Sequence, residues 1–409
     1  MSLAKYTVFR LRLPRNLPPA PRLGPAAFDA TAFGPVMMTE GMDEKPELSV
    51  EPAELSDKEA AEINASNSND SAVMSMPIKL IEAQVGGPGV AAVNTAWGVG
   101  AVGADVSTAT GAGVTVAVLD TGIEASHPAF AGVNLITRDF TGTAPNAADG
   151  HGHGTHCAGT VFGRDVQNTR IGVAPGVTRA VIGKVLADNG GGSSDALFQA
   201  MQWAVVNEGA QVLSMSLGFD FPGLVAWLVQ NQGLPIDLAT SQGLVGYRQN
   251  LRAFDALVNY FKAMEPFNKN AVVVAAAGNE SRRNQNANYV ISASLPAAAE
   301  GVVSVAAYAD GTPNYDIATF SNSDPAIAAP GVAISSAALG GGLATMSGTS
   351  MACPHVAGLA ALWWQREAGA GRLATATRIK ELVLASATLG QLKPTLTIRD
   401  YGRGRAMAP

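Results

Sequence analysis

Cysteine is almost missing: Cys157 and Cys353 are the only two in 409 residues, which excludes a disulfide framework. Charge is scarce as well. Asp, Glu, Lys and Arg make up 15% of the chain, against about 25% in ordinary soluble domains. Positive charge shows no excess, since 27 Lys and Arg face 33 Asp and Glu for a net charge of −6. No basic cluster interleaves with aromatics, and that balance argues against nucleic acid as a partner. No uninterrupted apolar run reaches the ~20 residues that span a bilayer, so no membrane partner is expected. The opening stretch MSLAKYTVFRLRLPRNLPP lacks the apolar core of about 7–15 residues that marks a leader. On that reading the protein is cytoplasmic, with secretion by another route left open.

What the chain does have is apolar bulk, at 47%, and 45 glycines without a collagen-like period. Its length suits one large domain with a smaller appendage. Residues 1–90 form an N-terminal extension, 91–390 the main domain and 391–409 a C-terminal tail. In the extension, Thr7–Leu13 alternates as a half-buried strand does, with Phe9, Leu11 and Leu13 on one face and Arg10 and Arg12 on a solvated one. A proline-rich stretch (Pro14, Pro18, Pro19, Pro21, Pro25) and an acidic stretch from Glu40 to Glu62 follow. Ser56 and Glu59 have capping-box spacing for a short helix. Asn64–Ser71 reads as a polar linker, and Pro77–Ile81 as another strand.

From Trp97 onward, short apolar strands alternate with helices. Val114–Leu119, Ala180–Leu186, Gln211–Leu217, Ala271–Ala277 and Val302–Ala306 are the strands; Thr155–Phe162, Asp195–Asn207, Arg248–Met264, Met351–Gln365 and Thr377–Ala385 are the helices. This pattern predicts an α/β fold, a doubly wound and mainly parallel sheet with helices on both faces, plus a small N-terminal α+β extension.

Chemistry-bearing residues are few. Three of the five histidines stand in Asp149-Gly-His-Gly-His-Gly-Thr-His156. Alone the cluster could hold a metal, but the interleaved glycines suit a tight turn into a helix better. Ser350, in Gly348-Thr-Ser-Met-Ala-Cys-Pro-His-Val-Ala-Gly358, stands at a helix start, where serine commonly serves as a cap. The same place suits a nucleophile, because a helix N-terminus favours developing negative charge. Asp120 ends the strand in Val116-Ala-Val-Leu-Asp-Thr-Gly-Ile123, as a turn residue or as the holder of an imidazole tautomer. Asn279, in Ala275-Ala-Ala-Gly-Asn-Glu280, is a turn residue or an amide donor to an oxyanion.

Together and in this order, these four segments resemble the signature segments of the subtilase family over Trp97 to Thr388. The resemblance implies a serine endopeptidase with a polypeptide substrate. Ser350 is its implied nucleophile, His153 its general base and then acid, and Asp120 the group that orients His153. Asn279 and the Ser350 backbone N–H are the implied oxyanion donors. His151 is implied to neighbour the cleft and His156 to be structural. Ser216, Leu217 and Gly218 on one side, and Gly191, Gly192 and Ser193 on the other, would take the substrate by strand addition. Ala277, Gly278 and Ser294 would line the pocket for the residue before the cut. The same triad also serves transpeptidases, and an inactive scaffold is a third alternative.

No cofactor is required on this reading. Loop Arg164–Arg170 stands where many relatives bind calcium and offers Asp165, Gln167 and Asn168, but two arginines flank them, so calcium is unsupported. Segment 219–270 is longer than in compact subtilisins. There Leu224, Val225 and Leu228, then Leu251, Phe254, Leu257, Val258 and Phe261, fit two amphipathic helices, packed on the core or docking a partner or substrate. The extension is either an inhibitory, folding-assisting propeptide or a regulatory arm.

Overall fold

The computed structural model describes residues 4–12, 45–66, 68–88, 94–311 and 313–409. The proline-rich stretch, Leu13 and the first part of the acidic stretch lie outside these. The alternating run near the start forms β1 (Ala4–Arg12), which pairs antiparallel with β2 (Glu47–Leu55) and β3 (Asp70–Met74). Between β2 and β3 lies α1 (Asp57–Ala65), begun by the expected capping box of Ser56 and Glu59. Asn64 and Ala65 therefore belong to the helix, and the polar linker is shorter than expected. Arg10 is on the wet side, paired with Glu51 and Asp70.

Two strands lead out of this unit, β4 (Pro77–Leu80) and β5 (Gln84–Pro88), followed by helix α2 (Trp97–Ala101). Then the α/β pattern begins. In chain order come β6 (Thr115–Asp120), β7 (Asn134–Asp139), α3 (His153–Phe162), β8 (Arg179–Lys184), β9 (Gly191–Ser193), α4 (Ser194–Gln202), β10 (Val212–Met215) and β11 (Leu217–Phe219). Helices α5 (Phe221–Gln232) and α6 (Ile236–Ala263) fill the long segment. After them lie β12 (Val272–Ala276), β13 (Val303–Ala309), β14 (Asp316–Ile317), β15 (Ile327–Pro330), β16 (Ile334–Ala337), β17 (Leu343–Ser347), α7 (Thr349–Gly369) and α8 (Ala376–Ala385).

The central sheet runs β14-β13-β12-β10-β6-β8-β7, with β15 also on β13, and is parallel except at β14. Its valine-rich strands are buried on both faces, as a doubly wound sheet requires. One face packs under α3 and α7, through Val116, Val118, Val161 and Val356; the other packs under α4 and α6, through Leu119, Phe198, Leu213 and Phe254. The second core continues into the N-terminal unit. Phe9, Leu48, Val50 and Val73 belong to it, and the Phe9 ring meets Phe198 edge-on at 5.1 Å.

α6 is one helix of 28 residues, far longer than the 251–261 stripe suggested. Its middle holds the N-terminal unit: Gln249 Oε1 accepts from Met74 N at 3.1 Å, and Asn250 Nδ2 donates to Met74 O at 2.8 Å. The tail also packs. Arg405 bridges to Thr388 and Ala328 and is 4% exposed.

Candidate active site

Ligands of parallel sheets collect at the carboxyl ends of the strands. Here β6 delivers Asp120, β10 and β11 deliver Ser216–Gly218, and β12 leads into Ala277-Gly278-Asn279. Helices α3 and α7 bring His153 and Ser350 at their N-terminal ends.

Asp120 and His153 meet. Asp120 Oδ1 is 2.8 Å from His153 Nδ1, and each side chain is 1% exposed. The segments approach so closely that glycine is needed at the contact. A Cβ on Gly154 would fall 2.3 Å from Gly122 O, and one on Gly122, at φ +111°, 2.3 Å from Ala147 O. Asp149 fixes the turn into α3. Its Oδ1 accepts from Thr121 Oγ1, His151 N and Gly152 N at 2.8–3.0 Å, and its Oδ2 from Thr155 N and Oγ1 at 2.9 and 2.7 Å. Burial opposes its ionisation, yet the hydrogen bonds from Thr155, Gly152 and Thr121 outweigh burial and hold the carboxyl below its ordinary value. Sequence reasoning assigned Asp149 no role. The available signal was a carboxylate six residues before Thr155 across a glycine-rich turn.

His151 is exposed, its ring 6.2 Å from that of His153. His156 is buried beneath, its Nε2–H shared between Ile334 O and Ala344 O at 3.0 and 3.2 Å; burial pushes its pKa down to about 3. Both match expectation.

Ser350 is fully buried, and its hydroxyl donates to the carbonyl of Ile81 at 3.0 Å. His153 Nε2, also buried, has no hydrogen-bond partner. The two residues share Cys157: its Sγ is 3.7 Å from His153 Nδ1 and donates to Ser350 O at 3.4 Å. The structure thus gathers imidazole and serine around one thiol, with the hydroxyl turned to a backbone carbonyl. Asn279 Oδ1 accepts from Thr349 N and Oγ1, both at 2.9 Å, and its Nδ2 donates to Glu82 O at 2.8 Å. The amide therefore meets the carbonyl one residue beyond the one at Ser350.

The expected strand addition is made by the chain's own β4. Leu217 and Gly218 pair antiparallel with Leu80 and Lys79. Gly191, Gly192 and Ser193 pair with Lys79, Ile78 and Pro77 on the other side. Ser216 Oγ donates to Ser350 O at 2.9 Å. A Cβ on Gly218 would lie 3.5 Å from Ile81 Cγ1 and 3.6 Å from Ser294 Oγ, so both residues face that glycine. Ala277 is buried, and Gly278 N donates to Thr349 Oγ1 at 3.1 Å. Past Ile81, β5 pairs antiparallel with β17.

Asp120, His153 and Cys157 offer donor atoms within 4.8 Å of one another, the one such group among the described residues. Burial, and then the nearby Asp120, raise the Cys157 thiol well above its ordinary value, which disfavours the thiolate a metal would need. In loop 164–170, Asp165, Gln167 and Asn168 are exposed. The Arg164 guanidinium donates to the carbonyls of Phe162, Pro175 and Val177, and Arg170 to those of Ala104, Gly172 and Val173. Built-in cations fill carbonyl clusters of the kind a hard metal ion prefers.

The family model described as the Subtilase family matches residues 111–404. Among similar curated proteins, a cuticle-degrading serine protease of Arthrobotrys oligospora is 35% identical over 294 residues, 70% of this chain and 59% of that protein. Alkaline elastase YaB of a Bacillus species is 34% identical over 278 residues, 66% of this chain and 60% of its own length. Subtilisin Savinase of Lederbergia lenta is 35% identical over 278 residues, 66% of this chain and 84% of its own. The chain spans between 54% and 60% of the length of the first four curated relatives it matches. These relatives overturn the cytoplasmic expectation, because proteins named for cuticle degradation and elastase activity point to secretion. That expectation rested on the lack of an apolar core near Met1, which is no measure of compartment.

Proposed function

Because this chain belongs to the subtilase family, we propose that it is a serine endopeptidase whose triad is Asp120, His153 and Ser350 and whose residues 1 to about 81 are an inhibitory propeptide. One observation carries the reading: β4 (Pro77–Leu80) lies antiparallel between β9 and β11, and the residue after it, Ile81, has its carbonyl at the Ser350 hydroxyl. A polypeptide substrate would occupy the same track.

Asp120 accepting from Nδ1–H leaves the His153 Nε2 lone pair for base catalysis. Rotation of the Ser350 hydroxyl frees it from the carbonyl oxygen so that Oγ can attack the carbonyl carbon. Its proton passes to His153 Nε2, which returns it to the departing amine; water then repeats the sequence on the acyl-enzyme. The oxyanion would be met by the Asn279 amide and the Ser350 N–H at the start of α7. Since Asn279 Nδ2 is bonded to Glu82 O, this role asks the peptide to shift or the amide to turn.

The test compares the parent with Ser350→Ala. The parent should release an N-terminal fragment and bind a fluorophosphonate at Ser350, while Ser350→Ala stays full length. Identical fragments from both would refute self-cleavage, and a parent without label would refute the nucleophile.

A further inference from the structure

Main-chain pairing along a bound strand is indifferent to sequence; selectivity comes from the pockets that meet alternate side chains. Within β4 and the residue after it, Ile78, Leu80 and Ile81 are 2%, 5% and 3% exposed, in apolar surroundings. Lys79 is different. Its ammonium lies 3.0 Å from Asp220 Oδ1, with the side chains 44% and 28% exposed. Asp220 follows β11 directly and is the N-cap of α5, so the long segment begins with this carboxylate. It is held from two sides: its backbone N–H donates to Pro77 O at 3.1 Å, and its Oδ1 accepts from Gly223 N at 3.3 Å. The hold by Gly223 N depends on no residue of β4 and remains once that segment leaves.

We propose that Asp220 is a specificity-determining residue that selects a basic side chain at the third residue before the cut. The inference rests on the endopeptidase reading and on a cut between Ile81 and Glu82. It defines a substrate class: an apolar residue, a basic residue and two apolar residues ahead of the broken bond, as in Ile78-Lys-Leu-Ile81. A bound basic side chain gains a partly screened ion pair, whereas an acidic one meets repulsion at the same place.

The full chain, incubated until self-cleavage is complete, is assayed on quenched peptides built on Pro77-Ile-Lys-Leu-Ile-Glu-Ala-Gln84, with Lys, Met or Glu in place of the lysine. We expect kcat/KM for the Lys peptide to exceed that for Met by about threefold to fivefold and that for Glu by roughly tenfold, converging as salt rises. Asp220→Asn, which keeps a good helix cap, should flatten the series, and Asp220→Lys should favour Glu. Equal rates in the parent, or an order that survives Asp220→Asn, would overturn the acidic subsite and leave the endopeptidase reading intact. No turnover of any peptide would overturn that reading and this inference together.

Discussion

Ser350 Oγ donates to the Ile81 carbonyl at 3.0 Å, joining residues 269 positions apart in the chain. The pairing of Lys79 with Gly218 and of Ile78 with Gly192 fixes the register that brings Ile81 there. The mature N-terminus should therefore be Glu82, read by terminal sequencing. Ile81→Asp should slow its appearance at least about tenfold, because a charge would enter surroundings where Ile81 is 3% exposed. A start elsewhere would show that the chain slides before it is cut.

Replacing Asn279 by Ala should lower kcat by about a hundred- to a thousandfold with a smaller effect on KM, the range known for an oxyanion donor of subtilisin. Steady-state kinetics on one peptide suffice. A loss confined to KM would assign Asn279 to binding Glu82 rather than to the transition state.

Cys157 touches both His153 and Ser350. A mercurial should inhibit, and Cys157→Ala should abolish most of that sensitivity. Because burial keeps the thiol protonated, iodoacetamide should react slowly even at pH about 9. Activity untouched after stoichiometric mercuration would end the idea.

His156 gives the fold an acid-labile component. Burial lowers its pKa from 6.5 to about 3, so the folded state holds it neutral while the unfolded state takes up a proton. The stability it contributes is complete above pH 6.5 and is lost as pH falls from there toward 3. The total is on the order of a few kcal/mol. Urea unfolding of Ser350→Ala against pH should show this slope, and His156→Gln, which keeps a donor for Ile334 O, should make it shallower, the remainder coming from His355, which burial pushes down to about 4.

The four chemistry-bearing segments were legible because each combines a strand end or helix start with residue types that chemistry restricts. The central strands were legible for a different reason: valine-rich runs buried on both faces leave no other reading for Val116–Leu119 or Val272–Ala276. The first half of α6 was missed because Gly243 and Gly246 break its apolar stripe. They are small because Phe221 and Val225 pack on one, and Met74 and Met76 on the other. Pro77–Ile81 was recognisable as a strand, but nothing local reveals that its partners lie more than a hundred residues away in β9 and β11. Long-range pairing leaves no mark in a single strand.

The hydrophobic cluster that joins Phe9, Leu48 and Val50 to Phe198 and Phe254 does not include Ile81 or Ser350. Breaking that bond severs the thread and leaves the seam closed. The onset of activity would then follow dissociation of two pieces, so their off-rate, rather than the speed of the first cut, would set the lag.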